Sequence, residues 1–373
     1  MSIHKINGKT GTRYQVKLRD PNGRQYSKTF KTRNEAKSYE TSQNNSMQRG
    51  AWTDLRLSTV TFGQLADLWI LQNTQKRQRS LDRDAGILKL HALPALQNKK
   101  ISNIKKSDIQ NLVNGWITYG LKPRTIRRNL AVVKAIFQKA VDDELLFKNP
   151  ATGTKYPKPE PVEQHPLTSE EAASLLSSIH PFYMPLLYIA ITTGLRWSEL
   201  AGLQIRDVEL MGKKPMLNVN RGLHSTSKGI TYEKPKSSAG KRTIPLTETQ
   251  VELIAAHIAE TKRTMVNGEE PLFVSPEGHV LNYSNFRNRV FIPALQKACI
   301  SKARIHDLRR TTATILVANQ VDLKTIEQLM GHSDIRITLS AYASATQAGM
   351  DKALLSLENH LTPTSDSSAH RAQ

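Results

Sequence analysis

Apolar and polar positions change period along this chain, and the changes mark its elements. Residues 14–18 (YQVKL) and 25–30 (QYSKTF) alternate as strands with one buried face, and Asp20-Pro21-Asn22-Gly23 between them is a hairpin turn signal. Residues 3–6 supply a third strand. Thr32, with Glu35 three positions later, reads as the capping box of a helix over 32–50. The polar passage 53–59 leads into a block of purely helical period. Thr61 caps FGQLADLWILQ, whose Phe62, Leu65, Leu68 and Trp69 share one face. Further helices are expected at 81–90, 106–119 and 123–143, the last opening at Pro123 with core positions Leu130, Val133, Ile136 and Phe137. The proline-rich span KNPATGTKYPKPEPV then interrupts the pattern and reads as a linker.

Beyond it, Thr168 and Glu171 form another capping box, and an apolar helix over 182–193 ends at Gly194. Arg196 follows, and Ser198 and Glu199 start a new helix with Leu200 and Leu203 facing inward. A β section, MLNVNRG and GITYEKPKSSAGKRTIPL, places Lys236 in the turn between two strand-like runs. Helices at 248–267 and 283–298 flank a short strand, LFVS.

Charge adds direction to this layout. The chain of 373 residues carries a formal net charge of +21, so a polyanion is the expected partner. Residues 1–58 hold +8 and residues 59–160 hold +10, whereas the remainder holds only +3. The first 160 residues therefore look like the grip. Basic candidates for DNA contact are Arg13, Lys17, Arg19, Arg24 and Lys28 on the N-terminal ribbon, and Arg124, Arg127 and Arg128 on the first turns of the 123–143 helix. Cations at a helix start oppose its dipole, a misfit that phosphates opposite them would relieve. Solvated edge charges are the alternative for the ribbon. The single cysteine, Cys299, excludes an internal disulfide framework and a cysteine-based zinc site. No signal-peptide core or membrane-length apolar run is present, which points to a cytoplasmic protein.

The candidate chemistry lies in residues 304–342, RIHDLRRTTATILVANQVDLKTIEQLMGHSDIRITLSAY. His306 and Arg309 are three apart and share a helix face, while Leu308, Ala313, Leu316, Val317, Ile326 and Leu329 supply the buried side. Gly331 and His332 mark a turn, and Tyr342 lies ten residues beyond that histidine. A phosphodiester enzyme that uses no metal needs cations on the non-bridging oxygens, a proton donor and a nucleophile. Arg, His and Tyr supply these. Taken alone, each such residue serves packing more often than chemistry.

The order along the chain decides between these readings. TGLRWSEL (Arg196), KPKSSAGKRTIPL (Lys236), HDLRR (His306, Arg309), MGHSDI (His332) and Tyr342 together resemble the tyrosine recombinase, or phage integrase, family. The resemblance implies a multi-domain fold: a small N-terminal β-ribbon plus helix, an all-α core-binding domain, and a mainly α catalytic domain with a small β-hairpin sheet. The corresponding boundaries are 1–58, 59–148, a linker at 149–165, 166–361, and a polar tail at 362–373. It further implies that Arg196 and Arg309 clamp the scissile phosphate and that Lys236 protonates the departing 5′ oxygen. His306 and His332 would assist proton movement, and Tyr342 would attack to leave a 3′-phosphotyrosyl bond. Lys234 and Lys241 lie close to Lys236. Glu199 and Asp307 are expected to orient the arginines, although Asp307 could equally cap its own helix.

A covalent phosphotyrosine conserves the phosphodiester energy, so neither ATP nor a metal or other cofactor is required. The implied function is integration and excision of a phage genome or mobile element. The alternatives are a type IB topoisomerase-like nicking enzyme and a non-catalytic DNA-binding protein on the same scaffold. Implied partners are double-stranded DNA at core and arm sites, three further copies in a tetramer, a host DNA-bending protein and a directionality factor. The segment LLSLENHL (354–361) is apolar enough to dock on a neighbouring subunit or on its own domain.

Overall fold

The computed structural model describes residues 2–8, 11–19, 25–48, 59–160, 166–235, 238–262 and 268–331. The turn at 20–23, Arg24, Lys236, His332, Tyr342 and the tail at 354–373 lie outside them. The chain divides into two compact units, Met1–Val162 and Glu163–Gln373.

The first unit begins with an antiparallel sheet, β1 (Ser2–Gly8), β2 (Gly11–Arg19) and β3 (Gln25–Phe30), with β2 central. Helix α1 (Arg33–Gln48) starts at the expected box: the Thr32 amide donates to Glu35 and the Glu35 amide donates to Thr32 Oγ1. Val16 and Leu18 on β2 and Ala36 on α1 are fully buried, with Tyr14, Phe30 and Tyr39 packed around them. Period-two alternation therefore turns even-numbered β2 residues toward α1 and Arg13, Lys17 and Arg19 away from it.

A separate core belongs to α2 (Phe62–Gln72), α3 (Gln78–Ile87), α4 (Leu93–Leu96), α5 (Lys106–Thr118) and α6 (Pro123–Asp142). Leu65, Trp69, Val133, Ile136 and Phe137 meet there as the periodicity requires. Leu68, expected on the same face, is exposed. The helix expected at 81–90 starts earlier and widens into a π-turn over Leu88–Ala92, just before Pro94. A second π-turn, Arg287–Phe291, precedes Pro293 in the same way. Proline lacks an amide proton and its ring crowds the preceding turn, and the wider turn accommodates both effects without ending the helix.

The start of the expected linker is not a free tether. Asn149 donates to the Lys134 carbonyl at 2.9 Å and accepts from the Ala151 amide, and the Lys155 main chain exchanges two hydrogen bonds with the Gln110 side-chain amide.

The second unit packs α7 (Ser169–Ser178), α8 (Met184–Thr193), α9 (Trp197–Ala201), β4 (Val208–Glu209), β5 (Met216–Val219), β6 (Gly222–Thr226), β7 (Gly229–Glu233), β8 (Arg242–Pro245), α10 (Glu248–Glu260), α11 (Tyr283–Phe286), α12 (Ile292–Lys297), α13 (Ile305–Ala318) and α14 (Leu323–Met330). The strands form a three-stranded sheet in the order β4-β5-β8 and a separate β6-β7 hairpin. This corrects the reading of Lys236 as a hairpin residue. The flanking strands β7 and β8 belong to different sheets, because β8 pairs with β5. LFVS is also not a regular strand: Val274 makes only an isolated bridge to Val280. The helix expected over 248–267 stops at Glu260, with residues 263–267 outside the described set. Among the described residues, no helix is long and apolar enough to cross a membrane.

Candidate active site

Two short local devices bring the candidate arginines into position. Helix α8 stops at Gly194, whose left-handed φ of 63° turns the chain, and Arg196 then serves as the N-terminal cap of α9. There the Arg196 amide donates to Glu199 Oε2 at 3.0 Å and its Nη1 donates to Oε1 at 2.7 Å. Arg309 sits one turn into α13, which is held against α8 by a 2.6 Å hydrogen bond from Thr312 Oγ1 to the Ile191 carbonyl. The Arg309 side chain reaches back to the Gly194 carbonyl through Nη1 at 2.6 Å and to the Met330 carbonyl through Nη2.

The last carbonyls of α14 are the meeting point. A helix end leaves its final carbonyls without internal donors, and those carbonyls carry the negative pole of the helix. Three successive ones are met by three arginines from three elements: Leu329 by Arg242 Nε at 2.7 Å, Met330 by Arg309, and Gly331 by Arg196 Nη2 at 3.1 Å. Gly331 closes the helix with a left-handed φ of 61°.

Electrostatics give this junction its chemical character. Glu199 accepts Arg196 on one carboxylate oxygen and Arg242 on the other at 3.1 Å. Burial alone would raise its carboxyl, but Arg242 and then Arg196 outweigh burial and hold it below the usual glutamate range. Three guanidinium groups thus face one carboxylate, leaving about two positive charges uncompensated among the described residues. Arg309 registers the surplus. Burial first, and the neighbouring Arg196 charge second, push its guanidinium down to about 9. An anion placed between Arg196 and Arg309 would offset both effects. Arg196 is about one-third exposed and open to such a ligand, whereas Arg309 is 3% exposed and uses two of its five N–H donors on described carbonyls.

His306 precedes Arg309 by less than a turn. The residue is exposed, yet partial burial against the surrounding protein, followed by Arg310 and Arg309, lowers its pKa below the ordinary histidine value. That lowering favours the neutral imidazole. Asp307 resolves to one of its two expected roles: it accepts the Arg304 amide at 2.9 Å and pairs with Arg304 and Arg310, capping α13 rather than orienting Arg196 or Arg309.

Sequence reasoning missed Arg242. Only the neighbouring lysines drew attention there, although an arginine opening the apolar run RTIPL was a usable signal. On the first unit, Arg124, Arg127 and Arg128 are exposed on the first turns of α6. Arg13 and Arg19 are exposed and Lys17 is half-buried, all on the outward face of β2. Lys28 departs from that set. It pairs with the inward residue Val16, and its ammonium lies 4.9 Å from the Tyr39 ring on the α1 side.

Residues 166–348 match the phage integrase family, and residues 61–117 match the phage integrase N-terminal SAM-like domain. A tyrosine recombinase XerC-like protein of Caldanaerobacter subterraneus subsp. tengcongensis is 28% identical over 90% of this chain and 93% of its own. The integrase of Escherichia phage P2 is 24% identical over 88% and 87%. Among solved structures, the Tn1549 transposon integrase in complex with transposon right end DNA aligns with a TM-score of 0.65 at 25% identity, covering 79% of this chain and 99% of that one. A lambda integrase tetramer bound to a Holliday junction shares the fold, with a TM-score of 0.58 at 19% identity over 88% and 91% of the two chains.

Proposed function

The chain belongs to the phage integrase family of tyrosine recombinases and is a site-specific DNA recombinase, and from that premise we propose how its residues divide the work. Arg196 and Arg309 grip the non-bridging oxygens of the scissile phosphate. Guanidinium groups suit a phosphoryl centre whose equatorial oxygens gain charge as it becomes pentacoordinate. The Tyr342 Oη attacks phosphorus, the bond to the 5′ oxygen breaks, and Lys236 gives that oxygen its proton. His306 and His332 hold the phosphate and assist proton movement. In the second step a 5′ hydroxyl from the partner strand attacks the 3′-phosphotyrosyl bond and releases the tyrosine.

The observation that carries this reading is the surplus of positive charge where Arg196 and Arg309 converge, at the end of α14 and directly before His332. Preorganised cations in a partly buried site stabilise developing negative charge more than the same groups do in water.

DNA is the partner. The finer assignments belong to the same proposal. Residues 1–58 form an arm-site module, residues 59–148 bind the core site through Arg124, Arg127 and Arg128, and residues 166–361 carry the chemistry. The active species is a tetramer on two duplexes, assisted by a host DNA-bending protein and a directionality factor in the bacterial cytoplasm, at the nucleoid. Two weak contacts on one DNA gain from effective concentration when the DNA is bent.

The deciding experiment incubates the protein, with EDTA present, with a labelled core-site DNA carrying a nick. A covalent adduct that survives denaturation and is lost in Tyr342→Phe is the expected result. Tight binding with no adduct in the wild type would overturn the assignment.

A further inference from the structure

Arg242 opens β8 and pairs with Val219 at the end of β5, so its backbone is fixed by the sheet. Its side chain is 7% exposed, and all three guanidinium nitrogens are engaged within the protein. Nε donates to Leu329, Nη1 to the Gly240 carbonyl at 3.3 Å, and Nη2 to Glu199. Unlike Arg196, it offers no open edge to DNA.

What it touches gives it a different task. Glu199 holds Arg196 with its other oxygen, so Arg242 fixes the carboxylate that orients the exposed half of the clamp. Leu329 directly precedes the two carbonyls gripped by Arg309 and Arg196, so Arg242 also fixes the helix end on which both guanidinium groups rest. The space beneath it is closed, since a Cβ on Gly331 would lie 2.8 Å from Nη1. Arg242 also ends the connection from β7 that carries Lys236.

We infer that Arg242 is a positioning residue for strand cleavage: it locks Glu199, Gly240 and the end of α14 into one frame, and so sets the spacing of Arg196 and Arg309. The inference rests on the clamp assignment above. A lysine cannot replace it fully, because one ammonium cannot reach a carboxylate and two carbonyls in the planar fork of a guanidinium.

The test uses the full chain and the nicked core-site DNA. Single-turnover adduct formation is followed as a function of DNA concentration, and adduct amplitude counts competent molecules. Arg242→Met is expected to lower the saturating rate per competent molecule about 100-fold while the half-saturating DNA concentration moves less than about threefold, the pattern of lost positioning rather than lost binding. Arg242→Lys should recover about tenfold of that loss. If Arg242→Met does not fold, Arg242→Lys, Glu199→Gln and their double variant decide the matter. Rate losses that do not multiply support action through Glu199, and losses that multiply in full overturn it. A saturating rate equal to wild type, with only the amplitude reduced, would overturn the inference and leave the clamp assignment standing. A wild type that forms no adduct would overturn both.

Discussion

Arg196 and Arg309 donate to neighbouring peptide units, Arg196 to the Gly331 carbonyl and Arg309 to that of Met330. They share a support but differ in exposure, and that difference separates the effects of replacing them. Arg309 is buried, and Arg309→Lys strands the Gly194 and Met330 carbonyls, at about 1–3 kcal/mol for each buried group left unsatisfied. Arg196→Lys leaves a partly exposed edge where water can replace the lost bonds. Both variants are expected to lose about 100-fold or more in single-turnover cleavage. Only Arg309→Lys should also lower the melting temperature by several degrees. Equal melting shifts for the two would contradict the geometry.

The turn that follows is equally constrained. Gly331 has a left-handed φ of 61°, and a Cβ there would lie 2.7 Å from the Ala239 carbonyl oxygen. Gly331→Ala therefore combines an unfavourable backbone region, about 1–2 kcal/mol, with a contact against backbone that cannot swing away. Cleavage and stability should both fall, and denaturant unfolding together with adduct yield would measure this. A variant with wild-type stability would show that the end of α14 can shift freely.

Protonation of His306 supplies a test in solution. Its pKa lies below the ordinary value of 6.5 in the free protein, because of burial first and then Arg310 and Arg309. A phosphate bound beside it favours the imidazolium, so binding takes up a proton in the window between the lowered free value and the raised bound value. Affinity for core-site DNA should therefore increase as pH falls from the raised bound value and level off only below 6.5, once the free imidazole is itself protonated. Anisotropy titrations at constant salt would show this slope in the wild type and its loss in His306→Asn. A wild-type slope retained in the variant would remove His306 from the phosphate site.

Parts of this architecture were legible because they are local. The Thr32, Thr61 and Thr168 capping boxes each depend on residues three positions apart. Gly194 and Gly331 announce helix ends for the same reason. The junction itself is not local. Arg242 is meaningful only beside Glu199 and Leu329, which no short window joins to it. Likewise, Lys236 looked like a hairpin residue because two strand-like runs flank it, yet strand partners are chosen across the sheet, and β8 pairs with β5. The apolar run LFVS has the composition of a strand but meets only an isolated bridge partner.

Lys28 and Arg13 make the last prediction, because the register of the N-terminal sheet separates residues that composition had grouped. Arg13 stands on the outward face of β2, opposite Ile6, with Lys17 and Arg19 on the same side. Lys28 stands opposite Val16 and lies over Tyr39 and Phe30 on the helix side, where cation–π contact is worth about 0.5–1 kcal/mol at an exposed position. If the outward face meets DNA, Arg13→Ala and Arg19→Ala should each weaken arm-site binding and lower the salt dependence by about one counterion. Lys28→Ala should leave both unchanged and cost a little stability instead. Deletion of residues 1–58 should abolish arm binding and spare cleavage of the nicked core site. Arm binding that survives the deletion would refute the module's assignment. An effect of Lys28→Ala as large as that of Arg13→Ala would place the DNA on the other face of the sheet, where α1 would have to move aside to admit it.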